Sequence, residues 1–153
     1  MIWKTILVPH DFSSSANHAA AVARDEAKSH GAKLVLLHVI DLPHQISPDA
    51  AIIPDSTGAP ISVKDYASQS AEAHLDDIAA RLEKDGAKPS TFIRFGTAHE
   101  EITKFVDEMK VDLVVMGTHG RTGLAHLLLG SVAERVVRTS RVPVLTVPQP
   151  DHS

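Results

Sequence analysis

Five short segments of this 153-residue chain are apolar, rich in β-branched residues and closed by turn residues: Trp3 to Pro9, Lys33 to Ile40, Ser90 to Phe95, Asp112 to Gly117 and Val142 to Val147. Such runs predict strands. Between them apolar residues recur at helical spacing. A first helix is predicted from about Ser13 to His30, with Ala16, Ala20, Ala23 and Ala27 on one stripe and Gly31 as its stop. Its small side chains imply close packing on a sheet. A second, from about Ser62 to Asp85, places Ala71, Leu75, Ile78, Ala79 and Leu82 on one face and closes at Gly86. A third opens with Thr97-Ala98-His99-Glu100, the pattern of a capping box, and lines up Ile102, Phe105, Val106 and Met109. A fourth begins near Gly130-Ser131 and is expected to bury Val132, Val136 and Val137.

Strands that are apolar at nearly every position, such as Leu34-Val35-Leu36-Leu37, suit a parallel sheet covered on both faces. Alternation of strand and helix then predicts an α/β fold. The expected architecture is one domain over residues 1–150, an open five-stranded parallel sheet of order 3-2-1-4-5 with helices on both faces. Asp41 to Pro60, with prolines at 43, 48, 54 and 60, shows no period and is expected to be a long surface loop acting as a lid or packing flap.

Composition narrows the chemistry. The chain has no cysteine, which excludes disulfides, thiolate metal sites and a catalytic thiol. A formal charge of -4 and only six aromatic residues argue against a broad nucleic-acid surface. No apolar run approaches the roughly 20 residues that cross a bilayer, and the N-terminus lacks a signal-peptide pattern, so a cytoplasmic protein is expected. The expected ligand is small.

Four of the eight glycines, at 117, 120, 123 and 130, fall in "GTHGRTGLAHLLLGS", directly after the fourth strand. This is not a Walker loop, because no lysine follows Lys110. Nor is it a dinucleotide fingerprint, which belongs in the first strand-to-helix turn, here the glycine-free Pro9-His10-Asp11-Phe12-Ser13. Two readings remain. The glycines make tight turns, or they let backbone approach a phosphate held by the free amides at the start of the fourth helix. In a 3-2-1-4-5 sheet the first and fourth strands flank the point where the winding reverses, and their ends carry Asp11 and Gly117. Asp11 is then either a helix N-cap or a ligand to a ribose or a Mg²⁺ ion, and the two roles are compatible.

The spacing Gly117-x-x-Gly120, nine residues, Gly130-Ser131, set between Asp112-Leu113-Val114-Val115-Met116 and Val142-Pro143-Val144-Leu145, resembles the universal stress protein family. The resemblance runs from Ile6-Leu7-Val8-Pro9-His10-Asp11 through Leu36-Leu37-His38-Val39 to the last strand. It implies a Rossmann-like fold of the adenine nucleotide alpha hydrolase type, and the intact spacing matches the family's ATP-binding branch. By resemblance the cofactors are ATP and Mg²⁺. The nucleotide site would comprise Pro9, Asp11, Val39, Met116, Gly117, Gly120, Arg121, Gly130, Ser131 and Val132, with Val39 against adenine and Asp11 on ribose or metal. The resemblance also implies a homodimer formed by pairing of Val142 to Val147 with its copy, as an exposed apolar edge invites.

Other constellations carry less. The ten histidines are scattered without metalloprotease spacing. His119 and Arg121 lie in the glycine segment, where each either reaches a phosphate or faces water. Ser13, Ser14 and Ser15 lack a nucleophile elbow and are expected to start a helix. No evident general base is present, so ATP binding with slow or negligible hydrolysis is expected, the behaviour of a stress-response switch. The alternatives are a dimeric interaction module that binds AMP, another phosphate ligand or no nucleotide, and, from fold analogy, an adenylyl-transfer enzyme.

Overall fold

The computed structural model describes residues 2–55, 58–119 and 129–149. Strands β1 (Thr5–Pro9), β2 (Lys33–Ile40), β5 (Ser90–Phe95), β6 (Leu113–Gly117) and β7 (Val144–Val147) form one parallel sheet of order β5-β2-β1-β6-β7. Counted along the sheet strands alone, that order is 3-2-1-4-5, as expected. The first, fourth and fifth strands begin one or two residues later than their apolar runs. Asp112 explains one boundary: its carboxylate accepts from the backbone N–H groups of Lys4 (2.8 Å) and Thr5 (2.9 Å), so it anchors the start of β1 and does not extend β6.

Alternate residues of the strands feed two cores, because successive strand side chains point to opposite faces. Ile6, Val8, Leu34, Leu36, Leu113 and Val115 meet α1 (Ser14–His30) and α2 (Val63–Lys84) on one face. Leu7, Val35, Leu37, Val114 and Met116 meet α3 (Ala98–Glu108) and α4 (Ser131–Thr139) on the other. The alanine stripe of α1 is buried as predicted, and Gly31 ends that helix at φ 64°, a conformation open to glycine at little cost.

Three local expectations are corrected. Thr97 makes no side-chain cap bond, so the capping box does not form; Glu101, one residue on, lies against Gly96 and pairs with Lys104 at 3.2 Å. In α4 the buried residues are Ala133 and Val136, while Val132 and Val137 are 37% and 45% exposed. The segment 41–60 is not without regular structure. Ala51–Ile52 (β3) pairs antiparallel with Ile61–Ser62 (β4), and Ser62 then caps α2 by accepting from Asp65 N–H at 3.0 Å. No helix among the described residues is long and apolar enough to cross a membrane.

Candidate functional site

Strands β1 and β6 pair only at Ile6↔Leu113 and Leu7↔Val114, although β1 runs on to Pro9 and β6 to Gly117. Where they part, at the carboxyl ends and at the winding reversal, a cleft of about 270 Å³ opens. Its walls come from the β1–α1 turn, the end of β2, the start of α3, the end of β6 and the first turn of α4.

The β1–α1 turn is held by its own side chains. Asp11 Oδ1 accepts from Ser13 N–H (3.0 Å), and Ser13 Oγ accepts from Ala16 N–H (3.1 Å). The N-cap of α1 is therefore Ser13, and Asp11 supports the turn from the cleft side. Between them Phe12 takes φ 68° and lays its ring on those of His38 (centroids 4.1 Å) and His74 (4.9 Å). His10 is 2% exposed. Burial pushes its imidazole down to about 4, against smaller upward pulls from the Asn17 hydrogen bond and the Asp11 charge.

On the opposite wall, Gly117 abuts the first turn of α1: a β-carbon there would come within 2.8 Å of the Ser15 carbonyl carbon and oxygen. The missing side chain leaves room for α1 itself. Thr118 N–H donates to Val147 (3.2 Å) and Thr118 O accepts from Gly130 N–H (2.6 Å), which ties the start of α4 to the end of β6. Gly130 is the N-cap of α4 and offers no side-chain oxygen. Ser131, Val132 and Ala133 line the cleft, and their first-turn amides, which a helix cannot satisfy internally, receive no side-chain cap from Gly130. Together with the helix dipole they favour an anion.

Of the residues named from sequence, Pro9, Asp11, Val39, Met116, Gly117, Gly130, Ser131 and Val132 all line this one cleft. Gly120 and Arg121 lie outside the described residues. His119, expected to reach phosphate or face water, is half-buried at the wall, with its N–H 3.4 Å from Ser15 Oγ and its ring on Thr118 Oγ1. No described residue of 41–60 lines the cleft. Sequence reasoning missed His10, His38, Ala98 and Thr118. The helical face of α3 had already singled out Ile102, another wall residue, as core. For His10 the signal was a polar residue directly after the apolar run Ile6 to Pro9.

The cleft fits a magnesium nucleotide in one specific way. Asp11 is its only carboxylate among the described lining residues, and no described group of three metal-ligating side chains exists. One carboxylate cannot build a free-standing Mg²⁺ site, but it suffices for an ion that takes its other ligands from phosphate and water.

A model of the universal stress protein family matches residues 3–148. "Universal stress protein MJ0577" of Methanocaldococcus jannaschii is 34% identical over 96% of each chain. A solved structure of MJ0577 superposes with TM-score 0.77 at 32% identity, covering 99% of both chains. A universal stress protein solved in complex with cAMP superposes with TM-score 0.70 at 26% identity over 97% of this chain and 98% of that one. A universal stress protein from Archaeoglobus fulgidus solved with dAMP shares the fold, with TM-score 0.66 and 22% identity over 95% of this chain and 98% of that one.

Proposed function

This chain belongs to the universal stress protein family, and on that premise we propose that it binds ATP with Mg²⁺ in the β1–β6 cleft and acts as a stress-response switch, with slow or negligible hydrolysis. The observation that carries the reading is convergence: residues far apart in sequence, Asp11, Val39, Gly117 and Gly130, meet at one cleft whose far wall is an uncapped helix start. The uncapped amides of α4 suit phosphate. Val39 and Met116 supply apolar surface for a base, and Asp11 suits a ribose hydroxyl or the metal. Bound Mg²⁺ would neutralise phosphate charge.

Turnover is expected to be slow because phosphoryl transfer needs a positioned water and stabilisation of developing charge. Among the described lining residues the only acid or base side chains are Asp11 and three histidines, and both ring nitrogens of His10 are engaged within the fold. The relative solved with cAMP supports a second reading, in which the occupant is a mononucleotide. Denaturing the purified protein and weighing the released ligand separates the two: ATP supports the first reading, AMP or a cyclic nucleotide the second.

The same reading includes a cytoplasmic homodimer built on β7. That strand forms the sheet edge and exposes Leu145 (40%), and α4 exposes Val137. An apolar edge of this kind is a liability unless paired.

A further inference from the structure

Every polar group of His10 is committed, each to a different neighbour. Its N–H donates to Leu37 O (2.8 Å) and its carbonyl accepts from His38 Nδ1–H (2.7 Å), which fastens the end of β1 to β2. The backbone N–H of Phe12 donates to His10 Nδ1 (3.0 Å). A backbone N–H can only donate, so Nδ1 carries the lone pair and the ring proton sits on Nε2, directed at Asn17 Oδ1 (2.9 Å) in α1.

Phe12 needs such support. At φ 68° a bulky residue is disfavoured, because its β-carbon crowds the backbone. The turn it makes sends the Phe12 ring toward the His38 and His74 rings, while its neighbours Asp11 and Ser13 both line the cleft. An ordinary right-handed conformation at Phe12 would redirect one of those neighbours.

We propose that His10 is a positioning residue for the nucleotide: by accepting the Phe12 N–H it holds the left-handed turn that keeps Asp11 at the cleft. The inference rests on the nucleotide-binding reading above. Two near-isosteres separate the two ends of the imidazole. His10→Asn places an oxygen where Nδ1 stands, which keeps the acceptor for Phe12 and loses the bond to Asn17. His10→Gln places its amide toward the Nε2 end and loses the acceptor for Phe12. A further change, Phe12→Gly, allows the turn without that acceptor, since glycine enters the left-handed region freely.

Titration of ATP and of AMP, each with Mg²⁺, into the four proteins by calorimetry provides the test, with circular dichroism confirming that each is folded. H10N is expected to bind within about threefold of wild type and H10Q about tenfold or more weaker, the usual cost of losing a hydrogen bond to a charged group such as Asp11. H10Q/F12G is expected to regain most of the loss, which a merely structural role for His10 would not produce. H10Q binding as tightly as wild type, or H10N falling as far as H10Q, overturns the inference and leaves the nucleotide reading standing. If H10Q does not fold, H10N alone decides, retained affinity supporting the inference and a tenfold loss overturning it. A wild-type protein that binds neither nucleotide overturns the underlying reading, and the inference with it.

Discussion

Gly117 and Ser15 stand so close that a β-carbon on Gly117 would lie 2.8 Å from the Ser15 carbonyl carbon and oxygen. The Ser15 hydroxyl lies nearer still and can rotate aside, but the carbonyl is backbone and cannot. Gly117→Ala is therefore expected to push α1 away from β6 and to cost about 1–3 kcal/mol, the usual range for overpacking. Removing the Ser15 hydroxyl as well, in Gly117→Ala/Ser15→Ala, should restore little. Urea unfolding of both variants tests this; a cost below about 0.5 kcal/mol for the single change would count as surface-like and contradict it.

The same contact shows what was legible in the sequence. The α/β alternation and the alanine stripe of α1 follow from periodicity, because both sheet faces are covered and each strand feeds both cores; the strand order does not, since a periodic pattern is silent on which strands are neighbours. The glycine at 117 was legible as a special position. That its reason is the packing of α1 was not, since a one-dimensional pattern does not say which element approaches. Thr97-x-x-Glu100 matches a capping box, yet Glu101 is the residue that turns back on Gly96, a choice made by tertiary packing. Val132 and Val137 have core-like chemistry but stay out of the core, Val132 at the cleft and Val137 exposed, because α4 buries only a narrow stripe of Ala133 and Val136.

His10 makes stability depend on pH. Its pKa falls from 6.5 in the free side chain to about 4 in the folded protein, because burial disfavours the charged form. A base held neutral by folding contributes its full stability above the unfolded value and loses it as pH drops from 6.5 toward 4. The loss amounts to at most about 3 kcal/mol. Urea midpoints of wild type and H10N between pH 7 and pH 4 measure it. The wild-type fall should be steeper, and parallel curves would contradict the assignment.

Asp112→Ala removes the acceptor for two backbone N–H groups at the start of β1. A loss of about 1–3 kcal/mol is expected, as for hydrogen bonds to a charged acceptor. Faster amide exchange at Lys4 and Thr5, read by NMR, would locate the effect. Unchanged exchange there would show that the clamp does not hold the strand.

Gly130→Asp separates helix capping from anion binding. At φ −58° and ψ 153° residue 130 already has a capping conformation. An aspartate there can cap α4 and contribute up to about 1 kcal/mol, while its charge opposes a phosphate at the same amides. The expected outcome is unchanged or higher stability with nucleotide binding weakened at least about tenfold. Retained affinity would place the phosphates elsewhere.

Leu145→Arg puts a charge on the exposed edge strand β7. Light scattering at micromolar concentration should give a dimer for wild type and a monomer for the variant. A wild-type monomer would contradict the dimer outright.

The central claim is that the β1–β6 cleft holds ATP with Mg²⁺. Thermal unfolding of wild type with and without MgATP tests it most directly, with Gly130→Asp as the control. A ligand that binds only the folded state adds about 2.7 kcal/mol of stability at a hundredfold excess over Kd. A clear upward shift in Tm for wild type, absent in the control, is the predicted result. No shift in wild type, or the same shift in both proteins, would contradict the claim.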